Sequence, residues 1–177
     1  SEPGQVSISK IDEYNEENIK KSLSGADIVI NLIGILYESK KSKFNFTHIE
    51  IPKLIAKAAK NYKVRTFIHL SALNVEKSKN SLYATSKLMG ENAVNSFFPD
   101  AIIIKPSVVF GKGDNFTNLF SKISRFSPFI PIIGTPKITF KNYLPHFNFS
   151  FRIKFQPLSV GDLVKFIIYV SNKKSET

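Results

Sequence analysis

The chain has 177 residues, 42% hydrophobic and 22% charged, which is enough to bury one core and ordinary for a globular domain. It has no cysteine, excluding a disulfide framework and a thiolate metal site, and no run of about 18 apolar residues, excluding a membrane-spanning helix. The net charge of +11, from 25 Lys and Arg against 14 Asp and Glu, fits an anionic partner such as nucleic acid, acidic lipid or a phosphate cofactor. It also fits a compositional bias, because Lys is spread along the whole chain.

Val6 to Ser9 alternates apolar and polar and predicts a short strand, followed directly by Asp12. Glu16 to Leu23 predicts a helix with Asn15 as N-cap and Gly25 at its end. Ile28 to Ile33 is a continuous apolar run with β-branched residues, so a strand buried on both faces is expected, ended by Gly34. A polar loop over 37–46 leads to Thr47 and Glu50, which have capping-box spacing. The helix expected after them runs to about Asn61 with Ile51, Leu54, Ile55 and Ala58 on one face.

A strand over 66–70 and a helix over 81–96 follow, the latter ended by Phe98 and Pro99. Ala101 to Lys105 reads as another strand buried on both faces, stopped by Pro106. A helix is expected over 115–125, and an apolar helix over 160–170 after the capping spacing of Ser159 and Asp162. Between them, 126–154 breaks the pattern with three Pro between 128 and 136 and a cluster of Phe and Tyr. From Asn115 to Gly161 there are six basic residues and no acidic ones. This reads as an irregular aromatic, basic insertion. The alternative is a binding surface for membrane or nucleic acid. The three His, at 48, 69 and 146, make no metal-ligand pattern. The first residues, Ser1 to Gln5, are not a signal peptide and hold no initiator Met, so the expectation is a chain that is not secreted and that begins within a longer protein.

Strands alternating with helices give βαβ units and a parallel sheet with helices on both faces. Ser71 then falls at a strand's carboxyl end, where open α/β sheets place ligands. Tyr83 and Lys87 lie four apart on the next helix and share a face. A Lys ammonium one turn from a phenol favours the phenolate, and a Ser hydroxyl can hold a substrate oxygen. The three suit proton transfer to or from an alcohol or carbonyl oxygen, which a nicotinamide would complete as hydride transfer.

The segments Gly25–Glu38, Phe67–Leu73, Tyr83–Glu91, Phe98–Gly111, Asp114–Phe116, Phe155–Pro157 and Val160–Asp162 resemble the short-chain dehydrogenase/reductase superfamily. The resemblance is to an atypical, NAD-dependent epimerase/dehydratase-like branch of the extended type that includes subunits of respiratory complex I (NADH-ubiquinone oxidoreductase). It implies a partial Rossmann-like domain over 1–125, with 126–177 holding the insertion and part of a small substrate-side subdomain. It puts Ser71, Tyr83 and Lys87 at catalytic positions. It puts Asp12 near the adenine, Asn31, Leu32, Ile33 and Gly34 at a cofactor-lining strand end, and Pro106, Ser107 and Val108 near the nicotinamide. Each of these has a plainer structural reading: Asp12 a solvated strand end, Asn31 a satisfied buried polar group, Gly34 a turn, Pro106 a strand terminator.

The glycine-rich loop that holds a dinucleotide's diphosphate is absent from this sequence. The expected cofactor is therefore NAD or NADP, bound weakly or not at all by this chain alone. The resemblance implies either an active oxidoreductase or epimerase, or a relative that holds a dinucleotide as structure within respiratory complex I or a quinone pathway. The expected location is cytoplasmic, or peripheral on the inner face of a respiratory membrane. A companion chain that supplies missing strands is a further expectation, because an unfilled sheet edge invites pairing.

Overall fold

The computed structural model describes residues 6–78, 80–114, 137–141, 144–148 and 156–173. They fall into two compact units, one of Ser1–Pro106 with Val164–Thr177 and one of Ser107–Leu163.

The first unit is built on a parallel sheet of three strands, β1 (Ile28–Asn31), β2 (Thr66–Leu70) and β3 (Ile102–Ile104), in the order β1-β2-β3. Val29 pairs with Phe67, Asn31 with His69, and His69 with Ile103. Successive strand residues face opposite ways. Val29, Asn31, Phe67, His69 and Ile103 therefore share one face. That face carries helices α1 (Glu16–Leu23), α2 (Ile51–Asn61) and α3 (Leu82–Phe97), whose apolar stripes meet in a cluster with Ile19, Ile55, Ala59, Phe67 and Val94 at its centre. Phe67, Ala59 and Val94 are fully buried. A buried Phe contributes roughly 2–3 kcal/mol of transfer free energy.

The helix ends follow local chemistry. The Asn15 side chain accepts from Asn18 N and Ser81 Oγ from Ala84 N, each satisfying an orphan donor of a first turn. Gly25, at φ +77°, supplies the left-handed residue that ends α1.

Four expectations change. Residues 6–9 form no strand, and Val6 and Ile8 are exposed. An alternating pattern becomes a strand only where a neighbour pairs with it. Strand β1 is not buried on both faces: Ile30 is 42% exposed, because β1 is an edge of the described sheet. Strand β3 is shorter than predicted and only Ile104 in it is buried. The Thr47–Glu50 capping box does not form. Asn45–Glu50 is a π-helical turn that runs straight into α2, so Thr47 and His48 lie inside a helix and are buried. A capping box needs a non-helical N-cap, and Thr47 lies inside the π-helical turn.

In the second unit, β4 (Val109–Phe110) pairs in parallel with β7 (Leu158–Ser159). Gly111 packs so closely on Val160 that a side chain there would collide with it. Strands β5 (Lys137–Lys141) and β6 (Leu144–Asn148) form an antiparallel pair, inside the stretch that reads as irregular in sequence. The helix expected over 115–125 lies outside the described residues. Helix α4 (Val160–Lys173) follows β7, and Ser159 Oγ accepts from Gly161 N at its start.

Candidate active site at the carboxyl end of the sheet

Ser71 immediately follows β2, at the carboxyl end of the parallel sheet, and is 5% exposed. Its hydroxyl donates to Glu91 Oε1 at 2.5 Å. Lys87, on the inner face of α3 and 4% exposed, donates from Nζ to the Leu70 carbonyl at 2.7 Å. Serine and lysine therefore meet the same strand end from two elements.

Burial alone penalises a charged ammonium. It lowers the Lys87 pKa to about 8, partly opposed by the negative charge of Glu91. Tyr83 stands one turn before Lys87 and is half-buried. Burial raises its pKa above the usual phenol value. This is opposite to the lowering expected from Lys87, and its cause is desolvation of the phenolate.

Two histidines complete the cluster. His48, in the π-helical turn, accepts from Ile35 N through Nε2 at 3.1 Å and lies 2.8 Å from Ser86 Oγ through Nδ1. Nε2 being an acceptor puts the ring proton on Nδ1, so the ring is neutral and donates to Ser86. Ser86 in turn donates to the Tyr83 carbonyl at 2.8 Å. The His48 ring also stacks on Phe44 at 5.2 Å and meets the edge of Tyr83 at 5.5 Å. Burial first, and the Lys87 charge second, lower the His48 pKa to about 4.

His69 is held through Nδ1 by Asn31 Nδ2 at 3.0 Å, and burial first, then the Lys87 charge and His48, lower its pKa to about 3. Its Nε2 is buried and has no hydrogen-bond partner among the described residues. Asn31 also accepts from Ile33 N, which shapes the turn after β1. Gly34 follows in that turn, exposed. A Cβ placed on it would lie 3.7 Å from His48 Nε2 and 3.9 Å from Lys87 Nζ, so the glycine backbone and the lysine line the same space.

The structure thus gathers Asn31, Gly34, Ser71, Tyr83 and Lys87 at one sheet edge. Leu32 is exposed and Ile33 packs against the core. Pro106 is tied in through its carbonyl, which accepts from Leu73 N at 2.9 Å. Asp12 is exposed and ion-paired to Lys10. Ser107 and Val108 belong to the second unit, where Ser107 Oγ donates to the Gln156 carbonyl.

Sequence reasoning missed Glu91, Lys105, whose Nζ meets Glu91 Oε2 at 2.9 Å, and both histidines. Glu91 was detectable: it stands four residues beyond Lys87, as Lys87 stands four beyond Tyr83, so all three share a helix face. Nothing local marks the histidines, whose side-chain partners Asn31 and Ser86 lie 38 positions away.

A parallel βαβ sheet carrying Ser, Tyr and Lys at its carboxyl edge defines a short-chain dehydrogenase/reductase-like protein with a Rossmann-like fold. No family model matches the chain. It is homologous to the NADH dehydrogenase [ubiquinone] 1 alpha subcomplex subunit 9, mitochondrial, of Mus musculus, at 34% identity over 165 residues, 93% of this chain and 40% of that protein. It is also 31% identical over 110 residues to the ceramide reductase of Caulobacter vibrioides, 62% of this chain and 34% of that one. The chain therefore spans about two-fifths or less of the length of these relatives.

Among solved structures, the dTDP-4-dehydrorhamnose reductase of Clostridium acetobutylicum superposes with a TM-score of 0.69 at 18% identity, over 92% of this chain and 58% of that chain. The UDP-glucuronic acid 4-epimerase of Bacillus cereus, solved in complex with NAD, superposes at 0.51 and 23% identity, over 65% of this chain and 45% of that chain. These likenesses establish the fold. Among the described residues, no helix is long and apolar enough to cross a membrane.

Proposed function

We propose that this chain is the substrate-facing part of an NAD(P)-binding, short-chain dehydrogenase/reductase-like subunit that assembles with respiratory complex I, peripheral to the inner face of a respiratory membrane. The observation that carries this reading is the 34% identity to alpha subcomplex subunit 9 across 93% of the chain.

The residues present fit the nicotinamide end of a dinucleotide. The Gly34 backbone leaves room beside Lys87 Nζ. The Lys87 ammonium spends one donor on Leu70, leaving two for the hydroxyls of a ribose. Asn31, Leu32, Ile33, Gly34, Tyr83, Lys87 and Pro106 would hold that end, and Asp12 would lie towards the adenine. When bound, a nicotinamide supplies or takes up hydride. A diphosphate needs a glycine-rich loop at a helix start, and the sequence of this chain holds none. Tight binding therefore needs a companion segment. The outer edge of β1, which pairs only with β2 among the described residues, is where such strands would add.

The test is an NADH and NADPH titration of the chain alone and joined to the companion that co-purifies with it. Binding only by the joined protein supports the reading. Absence of the chain from every respiratory-membrane fraction would overturn the complex I assignment.

The relationship to a ceramide reductase and the retained Ser71, Tyr83 and Lys87 favour a second reading, an active oxidoreductase. In that case Tyr83→Phe abolishes turnover with the fold intact. Full turnover in that variant would sink this second reading.

A further inference from the structure

Glu91 lies one turn beyond Lys87 on α3 and is 5% exposed. One carboxylate oxygen accepts the Ser71 hydroxyl at 2.5 Å, and the other meets Lys105 Nζ at 2.9 Å. A serine hydroxyl carries one hydrogen, and an ionised carboxylate can only accept. The hydrogen of Ser71 is therefore committed to Glu91. What Ser71 Oγ offers any further partner is lone pairs, so that partner has to be a donor such as a hydroxyl.

The same carboxylate acts on Lys87. The ammonium is surrounded by the Leu70 carbonyl, by His48 from the π-helical turn and by His69 from β2. Both rings are neutral near pH 7. Among the described residues the anion that acts on Lys87 is Glu91. It joins the strand end, the helix and the partly exposed residue after β3 in one network.

We propose that Glu91 is a positioning residue of this site: it fixes the hydrogen-bond direction of Ser71 and holds a negative charge beside the Lys87 ammonium. Its bearing on function rests on the reading of Ser71 and Lys87 as ligand-facing residues.

The experiment is NMR on the intact chain with 15N-labelled lysine, comparing wild type, Ser71→Ala, Glu91→Gln and Lys105→Met. The wild type should show a downfield, slowly exchanging hydroxyl proton that disappears in Ser71→Ala and moves upfield in Glu91→Gln. The Lys87 titration midpoint should fall in Glu91→Gln and hold in Ser71→Ala. A purely structural role for Glu91 predicts loss of stability with an unmoved Lys87 midpoint, and that result overturns the proposal. Lys105 is partly exposed, so Lys105→Met guards against Glu91→Gln failing to fold. It should shift the hydroxyl resonance, and an unchanged resonance also overturns the proposal. The NADH titration is a separate readout. Failure to bind there counts against the dinucleotide reading, whereas an absent hydroxyl proton counts against the Ser71–Glu91 contact.

Discussion

At Lys87 the fold holds an ammonium where water hardly reaches. The group has a folded pKa of about 8 against an ordinary 10.5. Its contribution to stability is fully present only above 10.5, and is lost as pH falls from there through 8. At neutral pH the charge is therefore a burden on the fold. Lys87→Met should raise stability at pH 7 by about 1–3 kcal/mol, the order of the shift converted to free energy. The gain should shrink as pH rises from 8 towards 10.5. Urea unfolding at pH 7 and pH 10 checks both statements. A stabilising loss of a candidate catalytic residue is the signature of a group retained for function.

His48 and His69 have the same sign and a lower window. Both fall from an ordinary 6.5, to about 4 and about 3. Their contribution is complete above 6.5 and is lost as pH drops from 6.5 through 4 and then 3, with each bound proton worth about 1.4 kcal/mol per pH unit. Unfolding free energy should therefore fall steeply between pH 6.5 and 4. In His48→Gln the slope over that interval should be shallower by up to one proton, measured by denaturant titration at several pH values.

At the scale of elements, the site depends on α3 lying unusually close to the π-helical turn. Gly90 permits it. A Cβ at Gly90 would run into the His48 carbonyl oxygen, which is backbone and cannot swing away. Gly90→Ala should cost about 3 kcal/mol or more, and it should displace His48 from Ser86. Thermal unfolding and the His48 ring resonances would show it, whereas unchanged melting would mean that the helices are further apart.

Helix α3 was legible because its span and its terminator Phe98–Pro99 are local signals. The start of α2 was not. Thr47 and Glu50 satisfy a capping spacing, yet the backbone stays helical through them and buries His48 against Ser86. A tertiary hydrogen bond outweighed a local preference.

Among the described residues, the three-stranded sheet is finished on the α1–α3 face and no strand pairs with the β1 edge. Ile30, Leu32, Leu36 and Tyr37 are all exposed there or just beyond, and an unpaired apolar edge is a template for association. Ile30→Lys should reduce self-association of the isolated chain, read by light scattering. Its stability should stay within about 0.5 kcal/mol, as for other exposed positions. Equal scattering from both proteins would show that the edge is not the adhesive surface.

The sequence by itself determined the order of elements from α1 to β3, their parallel sheet, and the placing of Ser71, Tyr83 and Lys87 at its carboxyl edge; it did not reveal strands β4, β5 and β6, and the strand it suggested over 6–9 does not form. What it determined follows from periodicity, capping and spacing within a few residues. Only the tertiary structure decided what those side chains experience. It gave the Ser71 hydrogen to Glu91, 20 positions away, and kept two histidines neutral around Lys87. It raised the Tyr83 pKa where the Tyr–Lys spacing implied lowering. The physical reason is that desolvation and long-range hydrogen bonding depend on what fills the space around a group, and spacing along the chain does not carry that information.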